Sequence, residues 1–321
     1  MLDPVELAIP EGRLDQRRRR IAVLLNGGAG AFSQPLASTI RAALDRSFAQ
    51  HGVAAELSLV AGKELKAAAQ KALARAQAGA LDAVVVGGGD GSVRTVASVL
   101  AGTGVPLGVL PLGTLNHFAK DLGIPLDVEG AALTIATGPV RAVDLAEVNG
   151  EVFINNSSIG IYPYLVIARE RVRQRHRLAK WIAMVPAFFR MLRHFPRRRL
   201  EIRVEGSAKP YRTPCLFVGN NEYAIELFAP ERRKHLDAGE LWLYVVKPRK
   251  PLGFFWMLCR LCFGNADHSR DIDTFNARKA EIGAKTSRLL VALDGEVEIM
   301  RPPLHYRARP GALSVIVPPL A

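Results

Sequence analysis

The chain has 321 residues, 49% of them apolar and 23% charged, so a sizeable core can form and two domains sharing a cleft are expected. Its 43 Lys and Arg against 30 Asp and Glu leave a net charge of +13, which favours anionic partners: nucleic acid, phosphorylated substrates or an acidic bilayer surface. A membrane-spanning helix is excluded, because the most apolar stretch, Pro251 to Phe263, is interrupted by Arg260 and falls short of the ~20 residues a span needs.

After a polar leader ending in Arg17 to Arg20, the run Ile21 to Leu25 reads as a buried strand closed by Asn26-Gly27-Gly28-Ala29-Gly30. A helix is expected next, with Ser33 as its cap and apolar positions at Leu36, Ile40 and Leu44. The pattern repeats with a strand at Ala55 to Val60, a helix at Lys63 to Ala78 stopped by Gly79, a strand at Asp82 to Val86, a glycine loop and a helix from Val93 to Leu100. A further strand, Leu107 to Leu110, runs into Pro111-Leu112-Gly113-Thr114 and a helix around Leu115 to Leu122. Short continuous apolar strands alternating with helices imply an open parallel sheet covered on both faces, with ligands at the carboxyl ends of its strands.

From about Val140 the texture changes. Arg141 to Val148 and Glu151 to Ser157 are strand-like runs joined by Asn149-Gly150, a hairpin signal, and runs at Cys215 to Gly219, Leu241 to Val246, Arg288 to Leu293 and Leu313 to Val317 have the same character. An α/β domain over residues 21–140 and a β-rich antiparallel domain over 141–321 are therefore expected, with the last strands free to return to the first domain. The exception within the second half is Ala168 to Phe195, a helical-looking, basic stretch.

Gly87-Gly88-Gly89-Asp90-Gly91-Ser92 ends a buried strand and opens a helix. Glycines let the backbone approach a phosphate, and the free amides and helix dipole attract the anion. Asp90 beside phosphates would repel them unless Mg²⁺ lies between, which makes it a candidate metal organiser. The loop lacks the spacing of dinucleotide folds and the Gly-Lys-Ser/Thr ending of a P-loop. In the next loop Gly113 lets the backbone close on the same ligand, while Thr114 and Asn116 either donate to phosphate or ribose or cap the following helix. Downstream, Asp294 and Glu296 form a carboxylate pair on one strand face, although Asp294-Gly295 between apolar runs also reads as a hairpin turn.

Taken together, Asn26 to Gly30, Gly88-Gly89-Asp90-Gly91-Ser92, Pro111-x-Gly113-Thr114-x-Asn116-x-x-Ala119 and Asp294-Gly295-Glu296 resemble the motifs of the diacylglycerol kinase catalytic-domain family, the soluble bacterial lipid kinases related to sphingosine and ceramide kinases. The resemblance implies a nucleotide-binding α/β domain of NAD-kinase-like fold and an antiparallel β-sandwich lipid-acceptor domain, with ATP and Mg²⁺ in the cleft between them. It implies that Asn26, Gly88, Gly89, Asp90, Gly91, Ser92, Gly113, Thr114 and Asn116 hold nucleotide, and that Asp294 takes the proton of a lipid hydroxyl. Glu296 would position Asp294 or contribute to metal binding, and Asp90 competes with Asp294 as base. The family often places an Asp directly before the Gly of a structural Mg²⁺ site; here Ala238 precedes Gly239 and the acid, Asp237, stands one place earlier. The alternatives are an NAD kinase-like enzyme and a non-catalytic basic anion-binding protein.

Arg169 to Arg199 carries eleven Lys and Arg against one acid, Glu170, interleaved with Trp181, Phe188 and Phe189. Such a stretch suits an anionic membrane surface, while the absence of any nucleic-acid fold signature argues against DNA or RNA. Three cysteines and no apolar run after a positive N-terminal region point to a reducing cytoplasm, with peripheral membrane association. The expected partners are a lipid substrate, an anionic membrane surface and no nucleic acid, with a homodimer left open.

Overall fold

The computed structural model of the chain describes residues 19–27, 34–173, 198–223, 233, 235–247, 253–254, 257 and 271–319. The first half alternates strand and helix: β1 (Arg20–Asn26), α1 (Gln34–Gln50), β2 (Ala54–Val60), α2 (Leu65–Gln77), β3 (Ala83–Gly88), α3 (Asp90–Leu100), β4 (Leu107–Pro111), α4 (His117–Asp121) and α5 (Val128–Thr137). The second half is strand-rich: β5 (Val140–Val148), β6 (Glu151–Phe153), β7 (Asn156–Gly160), α6 (Ile161–Arg173), β8 (Arg198–Val204), β9 (Ser207–Thr213), β10 (Cys215–Asn220), β11 (Leu241–Val246), β12 (Ile272–Ala277), β13 (Lys279–Ala284), β14 (Leu289–Leu293), β15 (Glu296–Met300) and β16 (Leu304–Ile316). The expected helix cap at Ser33, the cysteines at 259 and 262 and most of the basic stretch fall outside the described residues.

Strands β2-β1-β3-β4 form a parallel sheet; β1 is apolar and buried from Ile21 to Leu25, and every residue of β3 is buried. No polar alternation survives in such a strand because helices cover both faces. Strand order reverses direction after β2, so right-handed crossovers put α1 on one face and α2 and α3 on the other. Accordingly, α1 packs against α5, and α2 against α3.

Strand β16 prolongs this sheet. Its end runs parallel to β4 at Val315, its start runs antiparallel to β13, and β5 pairs along its length across an irregularity between Arg309 and Leu313. Among the described residues the sheet so formed has ten strands. A second sheet, β12-β11-β10-β7-β14-β15, is antiparallel throughout and faces the antiparallel part of the first. Alternate residues Leu216 and Val218, Leu241, Leu243 and Val245, and Leu289, Val291 and Leu293 meet Ile202, Ile282, Leu304 and Tyr306 in one apolar cluster. The expected α/β domain with an antiparallel β-sandwich is thus the observed architecture.

Two local expectations change. Glu151 to Ser157 is two strands in different sheets, β6 in the first and β7 in the second, because the chain crosses between sheets at Ile154-Asn155. The helix expected from Leu115 begins only at His117, because Asn116 adopts a left-handed conformation, φ 51°, that closes the preceding loop.

Candidate active site

The turnaround in strand order places a crevice at the carboxyl ends of β1, β3 and β4, where open α/β sheets bind ligands. Asn26, at the end of β1, donates from its side-chain amide to the Ser92 hydroxyl at 2.8 Å. The two glycine loops touch through their backbones: a Cβ on Gly113 would collide with Gly89, and one on Gly88 would lie 2.5 Å from the Ser92 hydroxyl. Gly89 precedes α3 with extended backbone and no side chain caps the helix, so the first-turn amides stay available. Aligned free amides at the positive end of an eleven-residue helix make an anion site, which suits nucleotide phosphates.

Asp90 has a task that the sequence did not reveal. Its carboxylate accepts from the backbone N–H groups of His117 and Phe118, at 3.2 and 3.1 Å, and so caps α4 from outside that helix. Asn116 is also committed internally: its side-chain oxygen accepts from Gly113 N–H at 3.0 Å, and its amide donates to the carbonyls of Pro111 and Gly113. With the residue only 8% exposed, Asn116 shapes the second loop from within. Thr114 is exposed at the loop's crest.

Asp294 and Gly295 join β14 to β15 in a two-residue turn with φ 49° and 86°, the type I′ geometry that Asp-Gly favours. The expected hairpin turn is therefore present. The Asp294 carboxylate points inward and accepts from the backbone N–H groups of Ile154, Asn155 and Asn156 at 2.8, 2.7 and 3.1 Å. These are the residues at which the chain leaves one sheet for the other, so their amides lie at or beyond the ladder ends. Burial pushes the Asp294 carboxyl up to about 6, against the pull of the Ile154 and Asn155 amides, the Arg94 charge and the Asn156 amide. A carboxyl tuned to that range is suited to proton transfer near neutrality.

The hairpin lies directly against the glycine loop. A Cβ at Gly91 would lie 2.5 Å from a carboxylate oxygen of Glu296. Arg94, in the next part of α3, reaches across with Nη2 to Glu298 at 2.6 Å and with Nη1 toward Glu296 at 3.4 Å, while its Nε donates to the Val152 carbonyl at 2.8 Å. Sequence reasoning passed over Arg94, although a charged residue between Val93 and Val96 on an otherwise apolar helix face was the available signal. It also passed over Arg233, whose side chain is 2% exposed and paired with Asp121 at 2.7 Å. Asp144 was missed likewise: this acid, buried within an apolar strand, accepts from Asn221, Gly239 and Gly311.

Among the described residues no three His, Cys, Asp or Glu side chains gather into a metal site; Asp237 is exposed, and the Asp90 carboxylate accepts from two amides of α4. No helix among the described residues is long and apolar enough to cross a membrane.

Comparison with known proteins matches the same two halves. The diacylglycerol kinase catalytic domain matches residues 20–148, and the YegS C-terminal NAD kinase beta sandwich-like domain matches residues 164–317. A protein of Pseudomonas fluorescens named a probable lipid kinase YegS-like is 37% identical over 145 residues, 44% of this chain and 45% of that one. A diacylglycerol kinase of Bacillus subtilis is 26% identical over 300 residues, 89% of this chain and 92% of that one. The chain thus matches less than half the length of the Pseudomonas relative, but nearly all of the Bacillus one. A crystal structure of a diacylglycerol kinase from Bacillus anthracis str. Sterne superposes with a TM-score of 0.66 at 19% identity, covering 94% of this chain and 97% of that chain; this likeness shows the fold. Two family matches in sequence order, on either side of the segment that carries the Asp294 cradle, show that the chain belongs to the diacylglycerol kinase catalytic-domain family.

Proposed function

We propose that the protein transfers the γ-phosphate of ATP to a hydroxyl of a lipid such as diacylglycerol or ceramide. The observation that carries this reading is the juxtaposition of the glycine loop with the Asp294 hairpin, in which a carboxyl raised to about 6 lies beside the first turn of α3. Phosphoryl transfer needs positioning, charge neutralisation and an acceptor for the hydroxyl proton. In this reading the amides opening α3 and the loop at Gly113 and Thr114 hold the phosphates. Asp294 accepts the proton, and Arg94 and Glu296 fix the hairpin against α3.

Bound with ATP, Mg²⁺ would supply charge neutralisation, and Asp90 of the glycine loop is the side chain that would hold it. The basic stretch Arg169 to Arg199 supports docking on an anionic bilayer, where the lipid acceptor resides.

The test is turnover of labelled ATP by the purified protein against diacylglycerol, ceramide, sphingoid bases and NAD. Label in a lipid product is expected. Transfer to NAD alone would favour the NAD kinase-like reading, and no transfer to any acceptor would favour a non-catalytic anion-binding protein. Binding to anionic vesicles that weakens with salt, without binding to neutral vesicles, is expected of the membrane-docking assignment.

A further inference from the structure

The segment that cradles Asp294 is anchored to the nucleotide half in a second way. Between β6 and β7 the chain changes sheets, so the polar backbone groups of Ile154 and Asn155 must find partners outside both ladders. Their N–H groups go to Asp294. The Ile154 carbonyl accepts from Asn220 Nδ2 at 3.0 Å and from Arg233 Nη1 at 3.1 Å, and the Asn155 side-chain oxygen accepts from Arg233 Nη2 at 3.0 Å.

Arg233 uses its other donors elsewhere. Nε bonds the Asp121 carboxylate at 2.7 Å, the backbone N–H bonds the same carboxylate at 3.2 Å, and Nη1 also reaches the Asn220 carbonyl at 2.8 Å. The guanidinium lies 5.3 Å from the centre of the Tyr223 ring. Asp121 is the last residue of α4, and the first residues of α4 are held by Asp90 of the glycine loop. A continuous line of short polar contacts thus runs from Asp90 through α4 to Asp121, Arg233, Ile154 and Asn155, and then Asp294.

A buried ion pair is weak evidence for stability, since hydrophobic substitutes often serve as well. What singles out Arg233 is geometry: one planar fork holds two of the three residues whose amides hold the carboxylate, and joins them to a five-residue helix set by the glycine loop. We propose that Arg233 is a positioning residue that couples nucleotide occupancy at the glycine loops to the placement of Asp294. The inference rests on the reading of Asp294 as proton acceptor. With phosphates on the loop, Asp90 and α4 become fixed, and Arg233 carries that constraint to the amides facing the carboxylate.

The experiment compares the full-length protein with Arg233→Met, Arg233→Lys, Asp121→Asn and Asp294→Asn, each checked for a cooperative melt. Turnover and ATP KM are measured with the lipid acceptor found in the panel above. Hydrogen exchange over residues 152–156 is followed with and without a non-hydrolysable ATP analogue. In the unaltered protein the analogue should slow exchange there. Arg233→Met should lower kcat by about 100-fold while ATP KM moves less than ~3-fold, and should abolish the nucleotide-linked slowing. Arg233→Lys, which keeps the charge without the fork, should recover about tenfold of that loss.

A folded Arg233→Met protein with unaltered kcat, or with the slowing intact, overturns the proposal. If that variant does not fold, Asp121→Asn decides the matter: it leaves the carbonyl bonds of Arg233 in place, and loss of the slowing supports the coupling while retention refutes it. An inactive Asp294→Asn beside a fully active Arg233→Met would reject the coupling alone. An active Asp294→Asn would reject the base assignment, and the inference with it.

Discussion

Two hairpins in this molecule have the same turn and different fates. Asn149-Gly150, between β5 and β6, has φ 50° and 88°, and Asp294-Gly295, between β14 and β15, has φ 49° and 86°. In the first, the side-chain oxygen accepts from the His305 N–H at 2.8 Å on an exposed surface. In the second, the carboxylate is turned into the junction of two sheets, where three amides, Arg94 and burial act on it together. Local turn chemistry is identical, so the difference comes from what the rest of the fold brings to the side chain.

The strongest test of that comparison makes the two turns alike. Asp294→Asn keeps a residue that favours the left-handed turn but removes the proton acceptor, and lipid phosphorylation should fall by about 100-fold or more while ATP binding persists. The reciprocal Asn149→Asp should leave turnover unchanged and stability within about 0.5 kcal/mol by chemical denaturation.

The pH profile sharpens the contrast. Because Asp294 must be ionised to accept a proton, turnover should fall as pH drops through about 6, with no matching limb traceable to the other hairpin. The folded Asp294 carboxyl is raised from its ordinary 3.8 to about 6, so its contribution to stability is full below 3.8 and is lost as pH rises through 6. Urea midpoints of Asp294→Asn relative to the unaltered protein should therefore rise across that interval. Arg94→Met removes the positive charge that lowers the Asp294 carboxyl, so the acid limb should move to higher pH. It also leaves the Val152 carbonyl without its Arg94 partner and should cost about 1–3 kcal/mol.

The smallest expected effect tests the turns themselves. Gly150→Ala and Gly295→Ala both force a Cβ into positive φ with no neighbour to clash, so each should destabilise by about 1–2 kcal/mol. Only Gly295→Ala should also reduce turnover.

Much of the scaffold was legible because its signals are local. Val84 to Val86 running into glycine, the repeat of apolar run and helix, and Asn149-Gly150 each declare themselves within a few residues. The motifs also marked the two loops and Asp294. What stayed hidden is assembled from distant pieces: the Asp294 cradle lies 138 to 140 residues away in sequence, and Arg233 meets Asp121 across 112 residues. A charged side chain in a single sequence reads as solvated, so Arg233 carried no sign that backbone carbonyls awaited it, and Arg94 only the hint of an apolar helix face. Asp90 has partners that its position in the glycine loop does not announce, the amides of a helix that begins 27 residues later.

The long last strand has a further meaning for how the molecule comes to exist. Leu313, Val315 and Ile316 of β16 and the adjoining Val317 sit in the same apolar cluster as β1, β3 and β4, although most of the strand-rich half of the chain lies between them in sequence. The nucleotide half must therefore wait, its helices and parallel strands made but one sheet edge unpaired, until more than 160 intervening residues have been synthesised. During that interval β4 is paired only with β3, and its other side is an open edge of the kind that recruits other chains. Expression of residues 19–148 alone should yield an aggregating product, and supplying β16 in trans or by circular permutation should restore a cooperative fold.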